Sequence, residues 1–164
     1  MINSDTLLTL AEVSAGFIGF AAIASVFLSQ RKIHKLDLIR FQMIVLVGLQ
    51  VVFGSFVPFW VLDISESPIF LWETSTIAIV MMSVPVSAFL IVHIRSIFFG
   101  SKRRTWGMVM FFTTAGSIMI VGMLLLSWPI SARQSLYEIL LSLGLLAMAY
   151  TFIDLIVNRM EENA

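Results

Sequence analysis

Five long apolar segments, at 7–28, 43–62, 69–94, 106–128 and 136–157, fill almost the whole of this 164-residue chain. A bilayer core about 30 Å thick is crossed by roughly 20 helical residues, because in hydrocarbon every backbone N–H and C=O must find its partner inside the segment. The expectation is an all-α integral membrane protein with five transmembrane helices. The connections, at 29–42, 63–68, 95–105 and 129–135, are too short to hold a soluble domain, so the chain reads as one transmembrane domain over residues 1–164. It shows no internal repeat and no linker. Only 12% of residues are charged, about half of what soluble domains carry.

The formal net charge of zero hides a spatial polarity. Arg31, Lys32, Lys35 and Arg40 fall in the first connection, Arg95, Lys102, Arg103 and Arg104 in the third, and Arg159 after the last span, with only Arg133 on the opposite side. Basic residues stay on the cytoplasmic face during insertion, so the N-terminus is expected outside and the C-terminus in the cytoplasm. Trp60, Trp72 and Trp128 then mark the outer headgroup level and Trp106 the inner one. Residues 1–6 carry no basic side chain, and no clean small-residue cleavage site follows a short apolar run, so a cleaved signal peptide is not expected. The absence of Cys excludes disulfides and Cys-ligated metal.

Ionisable groups at membrane depth are expensive and point to function. Glu12 lies within the first span, and at about 100° per residue Ala15, Gly16 and Gly19 fall within roughly 60° of it. The carboxylate therefore heads a face of very small side chains. Two readings of that face stay open. It is a packing seam, in which Ala11, Ala15 and Gly19 let a second helix approach closely, or it faces water and lines a path with Glu12 as a cation-attracting group at its mouth.

Glu73 enters the third span at nearly the same depth, so the two carboxylates are expected in one layer of the membrane. Thr76, Ser83 and Ser87 continue its face inward. Pro85 in the same helix frees the Met81 carbonyl, and Pro58 in the second span frees that of Gly54, one turn beyond Gln50, the most central polar residue of that span. The dry alternative for the Ser and Thr residues is a hydroxyl bonded back to its own helix. Glu138, with Ser135 and Ser142, sits at a boundary where solvation is cheap. Asp154 is expected in an interfacial ion pair near Arg159. Thr113 and Ser117 form a weaker polar pair in the fourth span.

Enzyme chemistry is not expected. His34 and His93 cannot supply two facing intramembrane haem ligands, no Lys lies within a span to hold retinal, and Gly54-Ser55 and Gly116-Ser117 have no His placed as a base. No phosphate loop or metal-spaced carboxylate set occurs, so no metal and no cofactor is expected. The Met residues at 81, 82, 119, 123 and 148 read as flexible filler. The basic collar suits anionic lipid headgroups, and nothing points to nucleic acid.

At Leu10-Ala11-Glu12-Val13 the chain resembles the first helix of the small multidrug resistance exporters, in which a membrane-embedded Glu exchanges protons for cationic drugs. The resemblance covers a handful of residues and carries over Glu12 alone, since those exporters have four spans and their later Gly-rich third-helix motif is missing here. Through Ala11-Glu12, Gly16-Phe17-Ile18-Gly19-Phe20, Phe56-Val57-Pro58 and Leu71-Trp72 it also resembles a loose group of small bacterial membrane proteins without assigned activity. The resemblance implies a multi-pass protein of the bacterial inner membrane. The function expected is a homo-oligomeric channel or transport protein for small cations, its pathway lined by the small-residue face of the first helix. The alternatives are a non-transporting scaffold or accessory subunit and a proton-coupled exporter of small cations.

Overall fold

A computed structural model describes residues 4–29, 35–64, 67–100 and 129–161. They form four α-helices: α1 (Ser4–Ser29), α2 (Lys35–Ile64), α3 (Pro68–Gly100) and α4 (Ile130–Glu161). Each holds a stretch long and apolar enough to cross a membrane, at Ser4–Ala24, Asp37–Ile64, Pro68–Phe89 and Ala132–Val157. The expected span at 106–128 lies outside the described residues, as do Arg31, Lys32, His34, Lys102, Arg103, Arg104, Thr113, Ser117, Trp106 and Trp128. So do the side chains of His93 and Arg159.

The helices run further than the apolar segments that announce them. Polar residues at a membrane edge can stay helical where they find water or a partner, so α2 begins at Lys35, well before residue 43, and α3 continues to Gly100. This corrects the length of the first and third connections. Arg40, expected in a connection, stands inside α2. At the start of α3 Ser67 takes the capping position, its carbonyl accepting the first helical bond from Leu71 N at 2.9 Å, and Pro68 occupies the first helical position, where its missing N–H costs nothing.

Two apolar clusters fix how the helices run. One gathers Leu7 and Leu10 of α1, Val51, Val57 and Val61 of α2, Leu71, Trp72 and Ile79 of α3, and Tyr137, Leu140 and Leu141 of α4. The other gathers Ala21, then Ile39, Met43, Ile44 and Val47, then Val86, then Met148 and Leu155. Thus α1, α3 and α4 run in one direction and α2 in the other. We call the two ends of the bundle the Glu73 end and the Arg40 end. α2 is the central helix, packed against each of the other three, whereas α1 and α3 do not touch.

Close approach at the centre depends on three glycines. A Cβ on Gly48 would stand 2.6 Å from Ile18 Cγ1 of α1 and 2.8 Å from Met148 Sδ of α4. One on Gly54 would meet Leu141 Cδ2 at 2.8 Å and Ile79 Cδ1 at 3.0 Å, and one on Gly144 would meet Val51 Cγ2 at 2.9 Å. Helices in a bilayer gain little from burying apolar surface, so association rests on such intimate packing and on hydrogen bonds between helices. The seam of small residues inside this bundle is therefore built on α2 and α4. The first helix contributes Leu7, Leu10, Ala11, Ser14 and Ala21 to it, not its glycines.

Candidate functional site

The Glu12 face points away from the bundle. Glu12, Ala15, Gly16 and Gly19 are all exposed, and a Cβ built on Gly16 or Gly19 meets nothing within 4 Å. Ala11, expected to share the small-residue row, is buried at the edge where that row turns toward the bundle. Asp5, Glu12, Gly19 and Val26 are exposed at seven-residue intervals, which on a helix keeps them within about 20° of one line per step. Thr9, also exposed, donates its hydroxyl hydrogen to the Asp5 carbonyl at 2.7 Å. The face thus runs from two carboxylates at the Glu73 end to purely apolar or small side chains at Phe20, Ile23 and Val26.

Glu73 does not join Glu12, because their helices do not meet. Its carboxylate, with the side chain 51% exposed, accepts a hydrogen bond from Arg133 Nη1 of α4 at 3.2 Å. Arg133, the single cation expected on its side of the membrane, thereby ties α4 to α3. One turn further in, Thr76 is buried and donates back to the Trp72 carbonyl at 2.6 Å. Ser55, Ser142 and Thr151 do the same to Val51, Glu138 and Ala147. These hydroxyls are satisfied within their own helices, as a dry interior requires.

Gln50 and Ser83 are brought together. Gln50 Nε2 donates to Ser83 Oγ at 2.6 Å, and that hydroxyl donates in turn to the Ile79 carbonyl at 2.8 Å. The pair pins α2 to α3 at mid-bundle. Ser87, on the same helix, is half-buried. Glu138 accepts from Gln134 Nε2 at 2.8 Å. Two hydroxyls stand apart: Ser14 Oγ of α1 and Ser75 Oγ of α3 are fully buried and have no hydrogen-bond partner.

Two polar constellations escaped the sequence reading. The carbonyl of Gly54, deprived of its helical donor by Pro58, accepts a hydrogen bond at 2.6 Å from the Tyr137 hydroxyl of α4. Pro58 signalled the orphan acceptor; nothing in the sequence named Tyr137 as its donor. The same Tyr ring packs on Trp72 with centroids 5.6 Å apart, so Trp72 is buried where an interfacial position was expected. Trp60, 53% exposed, stands outside the bundle beside Phe56.

At the other end Arg40 bridges two helices. Its Nη1 donates to Asp37 Oδ1 at 3.1 Å within α2, and its Nη2 lies 3.0 Å from Asp154 Oδ2 of α4. The second contact is an ion pair in distance without the alignment of a hydrogen bond. All three side chains are at least nine-tenths buried. Asp154, expected in an interfacial ion pair near Arg159, is buried and faces Arg40; the Arg159 side chain lies outside the described residues. The spacing Asp37-Arg40 at i, i+3 was the available signal, hidden by reading residue 40 as part of a loop.

Among the described residues no group of three or more His, Cys, Asp or Glu side chains is placed to hold a metal ion. No family model, curated protein or solved structure matches the chain.

Proposed function

We propose that the protein is a homo-oligomeric membrane transport protein in which copies of α1 surround a narrow, cation-preferring pathway. The observation that carries this reading is the exposure of Glu12 on an outward face, eight residues into a helix fit to cross a membrane. At 1.5 Å per residue that is about 12 Å from the helix start. A charged side chain left against hydrocarbon costs about 2.5–3.5 kcal/mol at a helix centre on insertion scales. Water reached between subunits removes that cost. Ala15, Gly16 and Gly19 leave room beside the carboxylate, and Asp5 adds a second negative charge at the mouth. The four described helices pack closely on one another and satisfy most of their hydroxyls within their own helices, which favours a path between copies.

This assembly uses five spans, with the N-terminus outside and the C-terminus in the cytoplasm of a bacterial inner membrane. Support for the fifth span comes from direction and sequence together: α3 and α4 run parallel, and the sequence between them holds the apolar segment 106–128. With Arg40 withdrawn into the ion cluster, eight of the remaining nine basic residues still fall on one side, which supports the orientation.

A scaffold reading is favoured by one feature: from Gly19 to Val26 the face offers no polar group, and the open space over Gly16 and Gly19 suits a neighbouring helix. An exporter of small cations, using Glu12 to exchange protons, is the dimeric variant of the transport reading. Purified protein in liposomes distinguishes these. Transport predicts cation flux that Glu12→Gln slows or makes less selective while the native mass of the oligomer stays unchanged. No flux, together with an oligomer that loosens in Glu12→Gln, refutes transport in favour of a seam, and a monomeric native mass removes both.

A further inference from the structure

The helix pairs of the bundle are tied with very different strength. At the Arg40 end, α2 and α4 are joined through a guanidinium and two carboxylates, all buried. At the Glu73 end, the described ionic tie between α3 and α4 is Glu73 to Arg133, and Glu73 is half-exposed. Exposed pairs contribute little, whereas breaking a buried one leaves an uncompensated charge. Apolar contacts do not make up the difference, because a side chain leaving a partner in the bilayer meets lipid tails of the same polarity. Among the packed pairs of described helices, α3 and α4 also approach each other over the fewest residues.

The helix α3 has a natural pivot. Pro85 removes the backbone donor for the Met81 carbonyl, so one turn lacks its hydrogen bond. Two residues before it, Ser83 is held to α2 by Gln50. Everything from Pro68 to that point forms an arm pinned at its base, tied to α4 at its tip by Glu73, and laid with Leu71, Trp72, Ser75, Thr76 and Ile79 inward. Ser75 Oγ is fully buried on this face without a hydrogen-bond partner. Such a group is costly where the arm lies closed and is relieved once water reaches it.

We propose that residues 68–84 of α3 are a hinged arm that swings from α4 about Ser83 and Pro85, opening a polar cleft at Ser75 and Thr76 when the Glu73–Arg133 tie is released, while the Arg40 end stays closed. The device rests on the membrane placement of the bundle and is independent of whether cations pass.

The chain has no Cys, so single thiols report cleanly. Ser75→Cys is introduced into full-length protein in lipid nanodiscs and its rate of reaction with a charged maleimide is measured. A tie of about 1 kcal/mol converts to a factor of about five, so Glu73→Gln raises the Ser75→Cys labelling rate about fivefold. Glu73→Arg raises it further, because it sets like charges side by side. Adding Pro85→Ala to Glu73→Gln brings the rate back toward its starting value. A control thiol at Thr151, buried at the Arg40 end, keeps its rate throughout. Unchanged labelling at residue 75 in both Glu73 variants overturns the arm, an equal rise at residue 151 overturns its confinement to one end, and indifference to Pro85→Ala overturns the pivot. Should Ser75→Cys fail to fold, faster amide hydrogen exchange across 68–84 in Glu73→Gln, with α4 unaffected, supports the same motion, and its absence overturns it.

Discussion

Removing one oxygen atom, in Tyr137→Phe, tests how this bundle replaces the backbone bond that Pro58 deletes. The Tyr137 hydroxyl is 2.6 Å from the Gly54 carbonyl, in a fully buried site. Hydrogen bonds between membrane helices average only about 0.6 kcal/mol, because the separated helices find other partners. This acceptor is different: Pro58 supplies no N–H, and the site around the Tyr137 hydroxyl that takes its place is fully buried. Stranding a buried carbonyl costs about 1–3 kcal/mol, so Tyr137→Phe is expected to destabilise the fold by about 1–2 kcal/mol, toward the upper limit of about 1.7 seen for bonds between membrane helices. In a Pro58→Ala background the helix recovers its own N–H donor to Gly54, and the cost of Tyr137→Phe should fall below about 0.5 kcal/mol, a coupling energy of about 1 kcal/mol. The assay is reversible unfolding in mixed micelles, with the four proteins compared as a double-mutant cycle. Equal losses from Tyr137→Phe in both backgrounds would refute the argument that the hydroxyl stands in for the missing amide.

Arg40→Met should cost about 3 kcal/mol or more in the same unfolding assay, since it removes the guanidinium that two buried carboxylates share, and Arg40→Lys should not restore the loss because an ammonium cannot reach two carboxylates as a planar fork does. Gly48→Ala should destabilise by about 1–3 kcal/mol, its new methyl falling 2.6 Å from Ile18 Cγ1. Gly19→Ala, with nothing within 4 Å, should leave the melting of isolated chains within about 0.5 kcal/mol and alter only the oligomer's native mass or its flux. Glu73→Gln should cost at most about 1 kcal/mol, a loss that raised salt reproduces in the parent protein.

Three cases show what could be read in advance. Pro58 announced an unpaired carbonyl at Gly54, because the loss of an amide four residues on is a local, covalent matter. Gln50 and Ser83 were each visible as polar groups at membrane depth, yet their meeting required the register between α2 and α3. Arg40 was misread, because charge density suggested a loop while a partner on α4, more than a hundred residues away, let it stay helical and buried.

The chain alone determined that long apolar helices would form, where proline would break their ladders, and which few polar groups the interior would have to satisfy. Those follow from backbone hydrogen bonding in hydrocarbon, which is local to each segment. Only the tertiary structure decided which faces look inward. Spans that are apolar on every side carry no periodic mark of inside and outside, so the choice fell to fit: Gly48, Gly54 and Gly144 where helices cross within van der Waals reach, and Gly16 and Gly19 left open beside Glu12.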